Sequence, residues 1–155
     1  MLPPDKKFII TAAKQILPDF PVVFAYLFGS CARDDQGPLS DIDLALFFDD
    51  SVSKDDYRTI CFDIEDAVFK TLELVGERQI QIQILNDLWE KSIALEREIV
   101  YDGELIYIKD NAMRAHYEAG AIHRWCDWAP RQERFNKATL ASLDKPIEPY
   151  KHYAQ

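Results

Sequence analysis

No apolar stretch of this chain is long enough to span a bilayer, so an integral membrane helix is excluded. The opening residues, Met1-Leu2-Pro3-Pro4-Asp5-Lys6-Lys7, lack the apolar segment of a secretory signal, and a cytoplasmic location is the expectation. Cysteine is scarce and odd in number: Cys31, Cys61 and Cys126, with no C-x-x-C spacing. A disulfide framework and a structural zinc site are therefore not expected, and buried reduced thiols are. Positive charge is also in short supply, with 18 basic against 27 acidic residues and a formal net charge of −9. Such a surface does not track a phosphate backbone unaided, so no direct nucleic-acid partner and no membrane partner are expected. A cationic partner or divalent metal ions remain compatible with it. Internal repeats and low-complexity segments are absent.

What is present is an ordinary globular composition, 48% hydrophobic and 29% charged over 155 residues, enough for one domain with a real core. Residues 5 to 17 carry Phe8, Ile9, Ala12, Ala13 and Ile16 at helical spacing, closed by Pro18 and Pro21. Val22 to Phe28 is a continuous apolar run that reads as a buried strand, and Asp41 to Phe48 as a second. Gly29 to Ser40 is a loop that can open with a short helix. Ser53 is placed to cap a long helix whose inner face is Tyr57, Ile60, Cys61, Ile64, Val68 and Leu72, ending at Gly76. Residues 79 to 85 alternate, with Ile80, Ile82 and Ile84 on one face and Gln79, Gln81 and Gln83 on the other, the signature of a strand. A helix from about Asp87 to Glu98 is expected next. A hairpin over residues 99 to 107, turning at Asp102-Gly103, should follow it. Residues 110 to 140 read as a helix broken at Pro130. The fold class is α+β, a small mixed sheet flanked by helices, with residues 1–143 as the domain and 144–155 as a tail.

The stretch LFGSCARDDQGPLSDIDLALFF, residues 27 to 48, carries the chemistry. Asp41 and Asp43 are alternate residues of one strand, so both carboxylates point to the same side. Two anions that close repel unless a cation lies between them, and magnesium, which takes hard carboxylate and phosphate oxygens, suits the place. Upstream, Gly29 lets backbone approach a ligand closely, the Ser30 hydroxyl and following amides can hold a phosphate, and Arg33 can add a charge-assisted bond. The joint pattern G-S-x10-D-x-D arises by chance in a chain of this length with probability on the order of one in a thousand. His116, His123, Trp89, Trp125 and Trp128 read as packing, surface or interface residues.

The segment G-S-C-A-R-x7-S-D-I-D-L resembles the signature of the DNA polymerase β-like nucleotidyltransferases, above all the minimal nucleotidyltransferases (MNT) paired with HEPN ribonuclease toxins. Residues 95 to 104 and the helix around Arg114, Tyr117, Trp125, Asp127 and Pro130 extend the likeness over most of the chain. The resemblance implies a polymerase β-like fold in which Gly29, Ser30 and Arg33 bind the triphosphate of ATP and Asp41 and Asp43 hold two magnesium ions. It further implies an antitoxin that transfers AMP to a tyrosine of its HEPN toxin. The family's third carboxylate falls at Gln81, an amide with a neutral oxygen and no basic atom; Glu77 and Asp63 are other acids in the region. Two further readings stay open: an inert antitoxin of the same fold acting by direct binding, and a nucleotidyltransferase for a small hydroxyl compound.

Overall fold

In the computed structural model, residues 5–33, 37, 40–73 and 79–143 are described. Helix α1 (Lys6–Ile16) starts at Asp5, whose carboxylate accepts the Lys7 N–H, and leads through a 3-10 turn at Leu17–Asp19 into β1 (Val22–Phe28). A one-turn helix α2 (Gly29–Ala32) follows, then β2 (Ile42–Phe48), α3 (Tyr57–Thr71), β3 (Ile80–Ile84), α4 (Leu88–Lys91), α5 (Ile93–Asp102), β4 (Glu104–Ile108) and α6 (Asn111–Leu143). The strands form one mixed sheet in the order β3-β2-β1-β4. Strand β1 runs antiparallel to β2 and β4, and β2 runs parallel to β3. This is the small mixed sheet with flanking helices that the sequence led us to expect.

Alternation along the strands divides the core in two. Ile42, Leu44, Leu46 and Phe48 of β2 join Ile9, Ala13, Ile64 and Val68 of α1 and α3 beneath one face. Phe24, Tyr26, Phe28 and Ala45 face Ile99 and Tyr117 of α5 and α6 on the other. The Ile80, Ile82 and Ile84 face of β3 lies toward α3. The sheet's central strand β1 is buried along its whole length, as an uninterrupted apolar run requires.

Several expectations are corrected. Residues 99 to 102 belong to helix α5 and make no hairpin; β4 alone pairs with β1. Ser92, extended at φ −159°, ends α4 and caps α5 by accepting the Leu95 N–H, so the expected single helix is two. Burial of Glu96 and Ile99, with Leu95 partly buried beside them, favours the helix, and Glu96 can be buried only because Arg124 meets it from α6. Gly103 serves the helix exit: a side chain there would lie 2.3 Å from the Ile99 carbonyl oxygen. Helix α6 is not broken at Pro130. The carbonyl that loses its bond there belongs to exposed Cys126, where solvent can satisfy it. Ser53 caps a 3-10 turn at Lys54–Asp56 that leads into α3. Phe8 lies on the solvent side of α1, 71% exposed. Cys31 and Cys61 are buried, whereas Cys126 is exposed. Gly76, Glu77 and the tail 144–155 lie outside the described residues.

Candidate active site

The residues singled out in the sequence converge where β1, β2 and β3 present their ends. Phe28 is paired with Asp43 across β1 and β2, and Asp43 with Gln81 across β2 and β3, so the turn after β1, the acidic pair and Gln81 adjoin. Gly29 has φ +69°, a left-handed conformation that turns the chain out of the strand. A β-carbon at Gly29 would sit 2.2 Å from Asp43 Oδ2. The missing side chain thus makes room first for Asp43 itself, a role that spacing alone could not show. With Phe28 as N-cap, Gly29, Ser30 and Cys31 form the first turn of α2, and their N–H groups have no partner inside the helix. Cys31 Sγ donates to the Asp41 carbonyl oxygen at 3.3 Å, tying this turn to β2.

The two carboxylates are held differently. Asp41 accepts the Gln79 N–H at 3.1 Å on Oδ1 and the Gln81 side-chain amide at 3.2 Å on Oδ2. Asp43 is half-buried, and its pKa is raised above the ordinary 3.8, first by burial and then by the Asp41 charge beside it. Arg33 opposes that rise, while Glu98 adds to it. Arg33 is C-cap of α2, and its Nη1 lies 3.4 Å from Glu98 Oε1 on α5. Glu98 therefore takes part in the electrostatics of the site. It was given no role in the sequence because its contact with Arg33 spans 65 positions.

Among the described residues no group of three or more His, Cys, Asp or Glu side chains converges to hold a metal. The donor set is two carboxylates and the Gln81 amide. It fits a divalent cation: the carboxylates share a strand face, and Asp43 is disfavoured as an anion by burial and then by the Asp41 charge. Asp63 cannot join them. It is exposed on α3, which packs against the opposite face of the sheet. The carboxylate and amide oxygens could orient a polyphosphate through magnesium, and the first-turn amides of α2 with the Ser30 hydroxyl could take its anionic end.

The fold is shared with solved toxin–antitoxin complexes. The chain is similar to one in the crystal structure of a toxin–antitoxin with AMP-PNP, at 18% identity and TM-score 0.60, covering 87% of this chain and 98% of that one. It is similar to one in the tri-AMPylated Shewanella oneidensis HEPN toxin in complex with MNT antitoxin, at 16% identity and TM-score 0.59, covering 86% and 98%. A chain of the MntA-HepT toxin–antitoxin matches at 17% identity and TM-score 0.53, covering 87% and 97%. No curated protein matches the chain in sequence. The family described as "Polymerase beta, Nucleotidyltransferase" matches residues 12–112, which run from α1 through the acidic strand to the start of α6. The chain belongs to this nucleotidyltransferase family.

Proposed function

We propose that this protein is the MNT antitoxin of a HEPN/MNT pair and transfers AMP from ATP to a tyrosine hydroxyl of the toxin ribonuclease. The observation that carries the reading is the Asp41–Asp43 pair, two like charges side by side, set against the Gly29–Ser30 turn in a nucleotidyltransferase fold. Structural neighbours captured with AMP-PNP and with an AMPylated toxin support it. In this reading Ser30, the α2 amides and Arg33 hold the triphosphate, and Asp41 and Asp43 hold magnesium. Bound there, the metal would lower the charge on the phosphates and on the attacking oxygen. The tyrosine oxygen forms a bond to the α-phosphorus as the bond to the bridging oxygen breaks and pyrophosphate leaves. The hydroxyl proton passes to solvent, because Gln81 has no basic atom to receive it. Phe135 and Leu140, both more than 60% exposed on the far half of α6, suit a protein partner. Residues 1–143 form the domain in this proposal and 144–155 a tail.

A second reading rests on Gln81. Its amide N–H is spent on Asp41 where the family's pattern has a carboxylate, which suits an antitoxin that neutralises by binding alone. Incubation with purified HEPN toxin and α-labelled ATP separates the two. Transfer of label to a toxin tyrosine is expected. Stoichiometric inhibition without ATP and without label on the toxin would replace the first reading by the second.

A further inference from the structure

Strand β3 is an edge of the sheet, and its outer side faces a long groove beside α3. The Ile42 N–H donates to the Gln79 carbonyl at 3.0 Å and the Leu85 N–H to the Leu46 carbonyl at 2.9 Å. In a parallel pair this phase turns the peptide groups of the odd-numbered residues toward β2. Those of Ile80, Ile82 and Ile84 then point outward. Two cavities run along the groove. One of about 770 Å³ is lined in part by Arg58, Phe62, Ile82 and Ile84, and one of about 350 Å³ by Phe62, Glu65, Asp66 and Ile80. Phe62 borders both and is 69% exposed.

Natural sheet edges are commonly guarded by charge, proline or a bulge. The opposite edge, β4, begins at Glu104, ion-paired to Lys6 at 2.7 Å, and runs out into Lys109. The edge at β3, Gln-Ile-Gln-Ile-Gln-Ile-Leu over residues 79 to 85, has no charge, proline or glycine. Among the described residues no strand pairs with the outer side of β3, which leaves its outward peptide groups available to a partner.

We propose that β3 pairs antiparallel with β3 of a second copy of this chain, extending the sheet across a two-fold axis near Ile82 and Phe62. Self-complementarity selects this occupant. Ile82 exchanges backbone bonds with its symmetry mate, and Ile80 with Ile84. The isoleucines of both copies stay on one face and the glutamines on the other. Charge fits as well. Helix α3 runs antiparallel to β3, with Arg58 near Ile84 and with Glu65 and Asp66 near Ile80. The two-fold brings Arg58 of each copy opposite Glu65 and Asp66 of the other. Asp66 already bonds Lys70 at 2.5 Å, but neither Arg58 nor Glu65 has an ion pair within the chain among the described residues. The proposal is independent of the transfer chemistry.

Sedimentation equilibrium of the full chain tests it, with circular dichroism to verify folding. A dimer is expected, weakened at least about tenfold by Phe62→Asp, which removes the central apolar anchor at an exposed position. Arg58→Glu alone should weaken it, and Arg58→Glu combined with Glu65→Arg should restore it. The amides of Ile80, Ile82 and Ile84 should exchange more slowly as concentration rises. A monomeric mass at every concentration, or a dimer unchanged by Phe62→Asp and Arg58→Glu, would overturn the proposal. So would protection of these amides only when HEPN toxin is added, since the edge would then belong to the partner.

Discussion

Two sets of acidic side chains lie on the same side of the sheet, and the fold treats them in opposite ways. Glu96 on α5 is fully buried, and Arg124 of α6 meets both its oxygens, at 2.9 and 2.5 Å. Its charge is answered inside the chain. Asp41 and Asp43 stand side by side at the edge of the core; amides bond Asp41, and Asp43 resists ionisation, first because it is half-buried and then because of the Asp41 charge. Arg33, whose charge acts on Asp43, is shared with Glu98. Glu96 is paired within the chain, and in the proposed function the acidic pair is the one that a nucleotide and its metal would complete. Unanswered charge in a folded protein is costly unless a ligand removes the cost, and that asymmetry separates a structural site from a working one.

The largest effect should come from erasing the incomplete pair. Asp41→Asn with Asp43→Asn should abolish AMP transfer, measured with labelled ATP, while leaving the fold intact; unchanged transfer would remove the catalytic assignment. Asp43→Asn alone has a pH signature. The raised folded pKa of Asp43 means that the folded protein holds a proton the unfolded chain releases. Its contribution is therefore fully present below the ordinary 3.8 and lost as pH rises through the folded value. Chemical denaturation without magnesium should show wild type losing stability across that window relative to Asp43→Asn.

Breaking the complete pair should damage the fold instead of the chemistry. Arg124→Ala leaves Glu96 buried without its counter-charge and should cost about 3–5 kcal/mol in urea denaturation. Replacing both Glu96 and Arg124 by Met should cost less than the single change, since the uncompensated charge goes too. Equal losses from both variants would mean that packing, not charge, fixes α6 to α5.

Ser30→Ala ranks below both in magnitude. Losing one hydrogen bond to a charged phosphate should weaken ATP binding by about 1–3 kcal/mol in calorimetry, with toxin binding unaffected. Equal ATP affinity would reduce Ser30 to a turn residue.

The smallest and most discriminating change is Gln81→Asp. Gln81 is the register partner of Asp43 and bonds Asp41, so a carboxylate there would join the acidic pair. Transfer at limiting magnesium should rise. A destabilised protein with no magnesium-dependent gain would identify Gln81 as a structural strut that orients Asp41.

The sequence by itself determined what local periodicity can encode. The apolar run of β1, the alternation of β3, the stripe of α3 and the shared face of Asp41 and Asp43 all follow from spacing of a few residues. Tertiary structure decided what depends on distant partners. Residues 99 to 102 carried strand-like composition, yet they are helical because Glu96 can be buried only against an arginine 28 positions away. The glycine before Ser30 was legible as a close-approach residue, but only the pairing of β1 with β2 revealed that Asp43 approaches it. Gln81 could be placed on a face by alternation alone, whereas its contact with Asp41 required the parallel register of β2 and β3. Side-chain direction is a property of the local backbone, and so it is written in the sequence. Which charges are answered, and which are left for a ligand, is settled only when segments far apart in the chain are brought together.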